Sequence, residues 1–252
     1  MPALYWVLGM AALEGLAFAL FAPQEGLAVP LASLLYSWTP ALVGLFFARR
    51  EGVRFPVFGE PNRYWALALL LPPLLAALSV LLALPLGTWR GVEPVQGALG
   101  HGPSGPAFWL YLGGYGLLVS LSVGLVFALG GEIFWRGYLW ERFREQGFWP
   151  ASLALGALWG LWQLPSLLAG GTPAAQVFFT LVLGVLLAPG LILFREWGRA
   201  VAPAALFLSG VRVWSFLPSY LVEGPAALVG FYGLSGVAAL ALFNLLLRRW
   251  VR

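Results

Sequence analysis

The sequence predicts an all-α, polytopic membrane helical bundle of about eight transmembrane helices, and three observations carry that prediction. The 252 residues are 61% hydrophobic and only 10% charged, whereas about a quarter of the residues in a soluble domain are charged. Mean hydropathy is +0.87, and lipid is the solvent that suits such a chain. Apolar runs of about 20 residues, the length a helix needs to cross a hydrocarbon core of about 30 Å, recur along the chain.

The runs fall at 3–22, 29–48, 64–86, 107–130, 149–169, 176–194, 200–221 and 225–247. Lipid tolerates no unpaired backbone, and runs this long suit helices rather than barrel strands. The first run holds Ala17-Phe18-Ala19, a weak cleavage pattern. No basic residue precedes it and Glu14 interrupts it, so it reads as a transmembrane helix rather than a signal peptide. Pro72, Pro73, Pro165 and Pro189 lie inside the third, fifth and sixth runs and are expected to kink them. The connection 87–106 carries the only histidine, His101, in a Gly/Pro-rich stretch and reads as a mobile loop.

Every basic residue is Arg and every acidic one is Glu. The connections after the second, fourth and sixth runs and the C-terminal tail hold twelve arginines, among them Arg136, against Arg90 alone on the other side, with Arg212 inside the seventh run. Positive charge collects in cytoplasmic loops. The split therefore predicts both termini in the cytoplasm of a cell-membrane protein, with residues 49–63, 131–147, 195–199 and 248–252 on the cytoplasmic side. The net charge of +4 marks topology rather than nucleic-acid binding. The implied partners are the lipid bilayer and a membrane protein or peptide. No repeat or composition shift divides the chain, so residues 1–252 read as a single transmembrane domain.

Charged groups inside a span are costly and are functional candidates by default. Glu14, the pair Glu132 and Arg136, and Arg212 are such groups. Glu132 and Arg136 are four apart, on one helix face, in the favourable acid-before-base order. Ser120, Ser122, Ser166 and Ser209 have no His or Lys base within reach, and read as packing or backbone-bonding residues. The glycines of Gly113-Gly-Tyr-Gly116 read as close-packing positions.

The segment Gly130-Gly-Glu-Ile-Phe-Trp-Arg-Gly-Tyr-Leu-Trp140 resembles the first motif of the CAAX protease and bacteriocin-processing (CPBP) family of intramembrane endopeptidases, Glu-Glu-x-x-x-Arg followed by Gly. Leu158-Trp-Gly-Leu-Trp-Gln-Leu-Pro165 resembles the second, an aromatic residue, three others and His. Pro203-Ala-Ala-Leu-Phe-Leu-Ser-Gly-Val-Arg-Val213 resembles the region of the third, His-x-x-x-Asn. The resemblance covers about 107–221 and implies an all-helical intramembrane protease fold.

The departures fall on the residues that the resemblance makes catalytic. Gly131 stands where the family has its water-activating Glu, and Gln163 where it has the second-motif His. The third-motif His maps to Phe207, Leu208 or Ser209, and its Asn to Val211, Arg212 or Val213. Glu132 and Arg136 alone carry over. With no Cys, no Asp and one loop histidine, metal-assisted hydrolysis lacks its ligands and its base. The expected function is a non-catalytic binding or scaffolding protein on the protease fold, with no metal and no cofactor. An active protease with an unusual site and a small-solute carrier are the alternatives. Counting residues inward from the span ends puts Glu132, Gln163 and Arg212 about 18–21 Å deep, which predicts a buried ionic contact between Glu132 and Arg212.

Overall fold

The structure is a computed structural model that describes residues 2–21, 28–100 and 102–251, with the side chains of all of these except 17–21 and 28–32. His101 lies outside the described residues. The helices are α1 (Pro2–Phe21), α2 (Ala28–Glu51), α3 (Arg63–Ala83), α4 (Glu93–Ala98), α5 (Pro106–Leu121), α6 (Val123–Glu132), α7 (Leu139–Phe143), α8 (Phe148–Ala169), α9 (Ala174–Trp197), α10 (Val201–Trp214), α11 (Leu217–Leu221) and α12 (Leu234–Leu247). Each long apolar run becomes helix, as lipid requires. The protein is an all-α membrane bundle. By length and hydropathy four stretches can cross a bilayer, at 63–86, 148–169, 174–197 and 201–221, and the bent pair α5 and α6 makes a fifth. The helices at 2–16 and 234–247 are apolar but shorter.

Small residues set how closely these helices approach, the usual device where lipid removes the hydrophobic drive between spans. A Cβ built on Gly156 of α8 would stand 2.7 Å from the Gly184 carbonyl oxygen of α9. One on Gly15 of α1 would stand 2.7 Å from Pro165 Cβ of α8, and one on Gly210 of α10 2.6 Å from Pro72 Cγ of α3. Residues 201–211 of α10 are all buried, which makes this helix the centre of the bundle. Asn244 of α12 donates to the Leu186 carbonyl of α9 at 2.8 Å, clamping the last helix to the core.

One end of the bundle gathers the arginines. There the backbone N–H of Val201 and Ala202 donate to the carbonyls of Pro56 and Val57 at 3.0 and 2.9 Å. Glu51 accepts from the Tyr138 hydroxyl at 2.7 Å and pairs with Arg142. The Tyr138 hydrogen bond, which outweighs partial burial and is assisted by Arg142, holds the Glu51 carboxyl below its ordinary value. Arg195 reaches Glu141 at 2.9 Å, and the Trp140 indole donates to Glu196 at 2.6 Å.

Several sequence expectations are corrected. Residues 131–140 are buried within the bundle and do not face a loop. Arg136, counted among the loop arginines, is fully buried. The last helix starts at Leu234 rather than 225 because 224–233 form turns, with Leu234 N–H on the Ala227 carbonyl. The connection 87–106 is folded: α4 buries Val95, and β1 (Thr88–Trp89) pairs antiparallel with β2 (Val222–Glu223). Between α5 and α6 the fourth run bends by 41° at Ser122 (φ −109°, ψ −106°), a break that sequence did not indicate. Of the glycines at 113–116, Gly116 meets the Trp214 ring, while Gly113 and Gly114 have nothing near.

Candidate functional site

The first candidate segment is conformationally special. Between α6 and α7 residues Ile133–Tyr138 form a π-helical turn, a wider coil that occurs mostly as single turns and frequently at functional sites. Gly137 sits on this turn where a Cβ would meet the Phe55 ring at 2.5 Å, and Gly130 just before it where a Cβ would meet the Ser37 carbonyl oxygen at 2.4 Å. The segment is thereby pressed against α2 and its continuation.

Within it Arg136 Nη1 donates to Glu132 Oε1 at 2.8 Å, and both side chains are fully buried. The Arg136 guanidinium also lies over the Trp159 ring of α8, 5.2 Å from its centroid. The ion pair of Glu132 is thus with Arg136, one turn away, rather than with Arg212. No hydrogen bond or ion pair joins Glu132 to Arg212 among the described residues. The reason is the wider coil together with the four-residue spacing, which brings Arg136 against the carboxylate first.

The pair is not fully satisfied. Glu132 Oε2, Arg136 Nε and Nη2, and the neighbouring Trp135 Nε1 are buried without a hydrogen-bond partner among the described residues. Leaving a buried polar atom unpaired costs about 1–3 kcal/mol. Such a cluster spends stability rather than adding it, which marks the segment as polar for a reason other than packing. Trp135 leans on Trp162 at 6.1 Å, and Trp162 stacks on Tyr36 at 4.6 Å. The Tyr36 hydroxyl caps the row by donating to the Trp162 carbonyl at 2.6 Å.

Gly131 contrasts with Gly130. A Cβ on Gly131 would meet nothing closer than Trp135 Cδ1 at 3.9 Å, although the residue is buried. A methyl group there would stand in ordinary contact with its neighbours.

A second group lies one helix face away. Gln163 of α8, Thr180 of α9, and Leu208 and Arg212 of α10 line one narrow cavity of about 30 Å³, with Trp159 forming part of its wall. Leu208 and Arg212 share a face because they are four apart. Phe207 points elsewhere, packing on Phe194 and Phe243 with ring centroids at 4.8 and 6.2 Å. Ser209 donates to the Ser120 carbonyl at 2.8 Å. Of the three registers that the sequence left open, Leu208 with Arg212 is the one whose two members both face Gln163. The expected meeting of Glu132, Gln163 and Arg212 is therefore resolved into a closed ion pair and an adjacent cavity. The two are linked through Trp159, which touches both.

The remaining candidates have local partners. Thr39 donates to Glu14. Ser120, Ser122 and Ser166 each donate to a backbone carbonyl three or four residues earlier, as expected for small polar residues in spans. Sequence reasoning did not single out Trp159, Thr180 or Tyr36. Trp159 was visible only as the aromatic of the second motif, and Thr180 and Tyr36 carried no signal beyond their apolar runs.

The donor set does not fit a divalent metal. No group of three or more His, Asp, Glu or Cys side chains is placed to hold an ion among the described residues. Gln163 offers a neutral amide, Leu208 nothing, and Arg212 a permanent positive charge that repels one.

Residues 113–210 match the family model described as Type II CAAX prenyl endopeptidase Rce1-like. No curated protein matches the chain. The matched stretch contains Gly131, Glu132, Arg136, Gln163 and Leu208, and ends two residues before Arg212.

Proposed function

The match over 113–210 supports assigning the chain to the CPBP family, and from that premise we propose that it binds within the membrane without hydrolysing peptide bonds. One observation carries the reading. At the positions where the resemblance calls for a water-activating Glu, two imidazoles and an Asn, the chain has Gly131, Gln163, one of Phe207, Leu208 or Ser209, and one of Val211, Arg212 or Val213. Only Glu132 and Arg136 correspond to the motifs, and they neutralise each other. A carboxamide does not titrate and cannot take a proton from water, so Gln163 is no replacement base. The role that remains is to hold a membrane protein or peptide against the bundle, in a cell membrane with the arginine-rich end towards the cytoplasm.

An assay of peptide-bond cleavage on purified protein, using a prenylated CAAX peptide with and without chelator, tests this. The expected result is no cleavage above a protein-free control. Cleavage abolished by chelator would overturn it in favour of an active metalloprotease with an unusual site. The orphaned polar atoms around Glu132 are the feature that favours that second reading. Peptide or solute accumulation in sealed vesicles would instead indicate a carrier.

A further inference from the structure

We infer that Arg212 and Gln163 form an oxyanion site, taking the phosphate or carboxylate of a ligand that enters from the end of the bundle opposite the arginine-rich one. This deepens the binding role proposed above by naming a ligand class for the same fold.

The first argument is charge. Arg212 lies in a transmembrane stretch. Its guanidinium has five N–H donors, and no hydrogen bond or ion pair to it is formed among the described residues. The two arginines buried among the described residues are engaged: Arg136 with Glu132 at 2.8 Å, and Arg195 with Glu141 at 2.9 Å. Each nearby acid has one carboxylate oxygen bonded elsewhere, Glu132 to Arg136 and Glu14 to Thr39, and neither bonds Arg212 among the described residues. Arg212 is exposed at the rim of a cavity, and a cation within a span is stabilised when an anion meets it.

The second argument is the cavity. Gln163 faces it beside Arg212, and its amide makes no side-chain hydrogen bond among the described residues; only its backbone carbonyl is used, by Ser166. Arg212 and Gln163 both line this space of about 30 Å³ and no carboxylate among the described residues lines it, so the donors it offers include a guanidinium and an amide N–H₂. That is the complement of an oxyanion, with room for its oxygen rather than for a whole solute.

The third argument is access. Phe231 and Tyr232 line this cavity and also a second, wider pocket of about 220 Å³ at the β1–β2 end, whose polar residues include Arg90 and Gln176. The two rings therefore form the wall between an entrance and the Arg212 site. Arg90 of that wider pocket has Glu223 beside it at 3.9 Å, whereas no carboxylate among the described residues lines the Arg212 cavity.

The test uses the full chain in a neutral detergent and reads melting temperature. The probes are dodecyl phosphate, dodecanoate, inorganic phosphate and, as the uncharged control, dodecanol. Binding at a hundredfold excess over the dissociation constant should raise the transition by roughly 5–10 °C. A shift with the alkyl anions alone assigns the site to an amphiphile headgroup. A shift with inorganic phosphate as well assigns it to a free anion. Arg212→Gln should lose the shift and Gln163→Leu should weaken apparent affinity at least about fivefold. Arg90→Gln should leave the shift intact. The inference fails if no anion stabilises the protein, if dodecanol does so equally, or if Gln163→Leu responds as the unmodified chain does. It also fails if Arg90→Gln, rather than Arg212→Gln, removes the effect. Should Arg212→Gln not fold, Gln163→Leu and Arg90→Gln decide the matter. Because this readout is ligand stabilisation and the proposed role is read by peptide cleavage, either can fail alone.

Discussion

Arg136 and Arg212 are both arginines within the helical bundle, and their surroundings are opposite. Arg136 is fully buried, 2.8 Å from a carboxylate and stacked on Trp159. Arg212 is exposed on the rim of a cavity with no acceptor bonded to it among the described residues. Trp159 borders both. The difference teaches that an identical charge, on neighbouring helices, can close a site or open one. At Arg136 the protein supplies its own counter-ion within hydrogen-bond distance; at Arg212 no acceptor is bonded among the described residues.

The largest expected effect breaks the closed side of that comparison. Glu132→Gln leaves Arg136 buried without its partner and should destabilise by about 3–5 kcal/mol, read as a loss of melting temperature in detergent. A loss below about 1 kcal/mol would mean that the pair is hydrated or exchangeable and that the two arginines are alike.

A sharper, intermediate contrast lies in two adjacent glycines. Gly130→Ala drives a methyl into the Ser37 carbonyl and should cost about 1–3 kcal/mol. Gly131→Ala has room and gains helix propensity, so its effect should lie between zero and a stabilisation of about 1 kcal/mol. Equal losses would contradict the room for a methyl at the position where the family has its first Glu.

These contrasts show how far the sequence could be read. Hydropathy placed every long helix, because lipid forces each apolar run to satisfy its own backbone. It missed the start of α12: 224–233 is apolar enough to look like span, and Pro225 and Gly230 turn it instead. The loop 87–106 looked mobile since its anchor, the pairing with Val222 and Glu223, is long-range and invisible to local composition. At the site, the residue types were legible, and so was the i, i+4 pairing of Glu132 with Arg136. The contact predicted for Glu132 with Arg212 rested on depth alone, and depth says nothing about which helix face a side chain occupies. The structure puts Leu208 and Arg212 on the cavity that Gln163 lines and turns Phe207 towards Phe194 and Phe243, a difference of helix face that sequence spacing does not give.

The smallest effect lies at the arginine-rich end. Glu51 has its carboxyl pKa lowered by the Tyr138 hydroxyl and Arg142. A depressed carboxyl contributes stability that is complete above its unfolded value of 4.5 and is lost as pH falls through the lower folded value. Melting temperature should therefore decline below about pH 4.5 less steeply in Glu51→Gln than in the unmodified chain. Parallel declines would remove Glu51 from the account without touching either buried arginine.

The contrast between the two arginines is tested most directly by the coupling energies of Glu132 with each of them. Thermal unfolding of Glu132→Gln, Arg136→Met, Arg212→Leu and the two double variants that include Glu132→Gln supplies both cycles. The account predicts that Glu132→Gln with Arg136→Met is far milder than the sum of the singles, with a coupling of about 2 kcal/mol or more. It predicts that Glu132→Gln with Arg212→Leu is additive within about 0.5 kcal/mol. Strong coupling of Glu132 to Arg212, with little to Arg136, would contradict it.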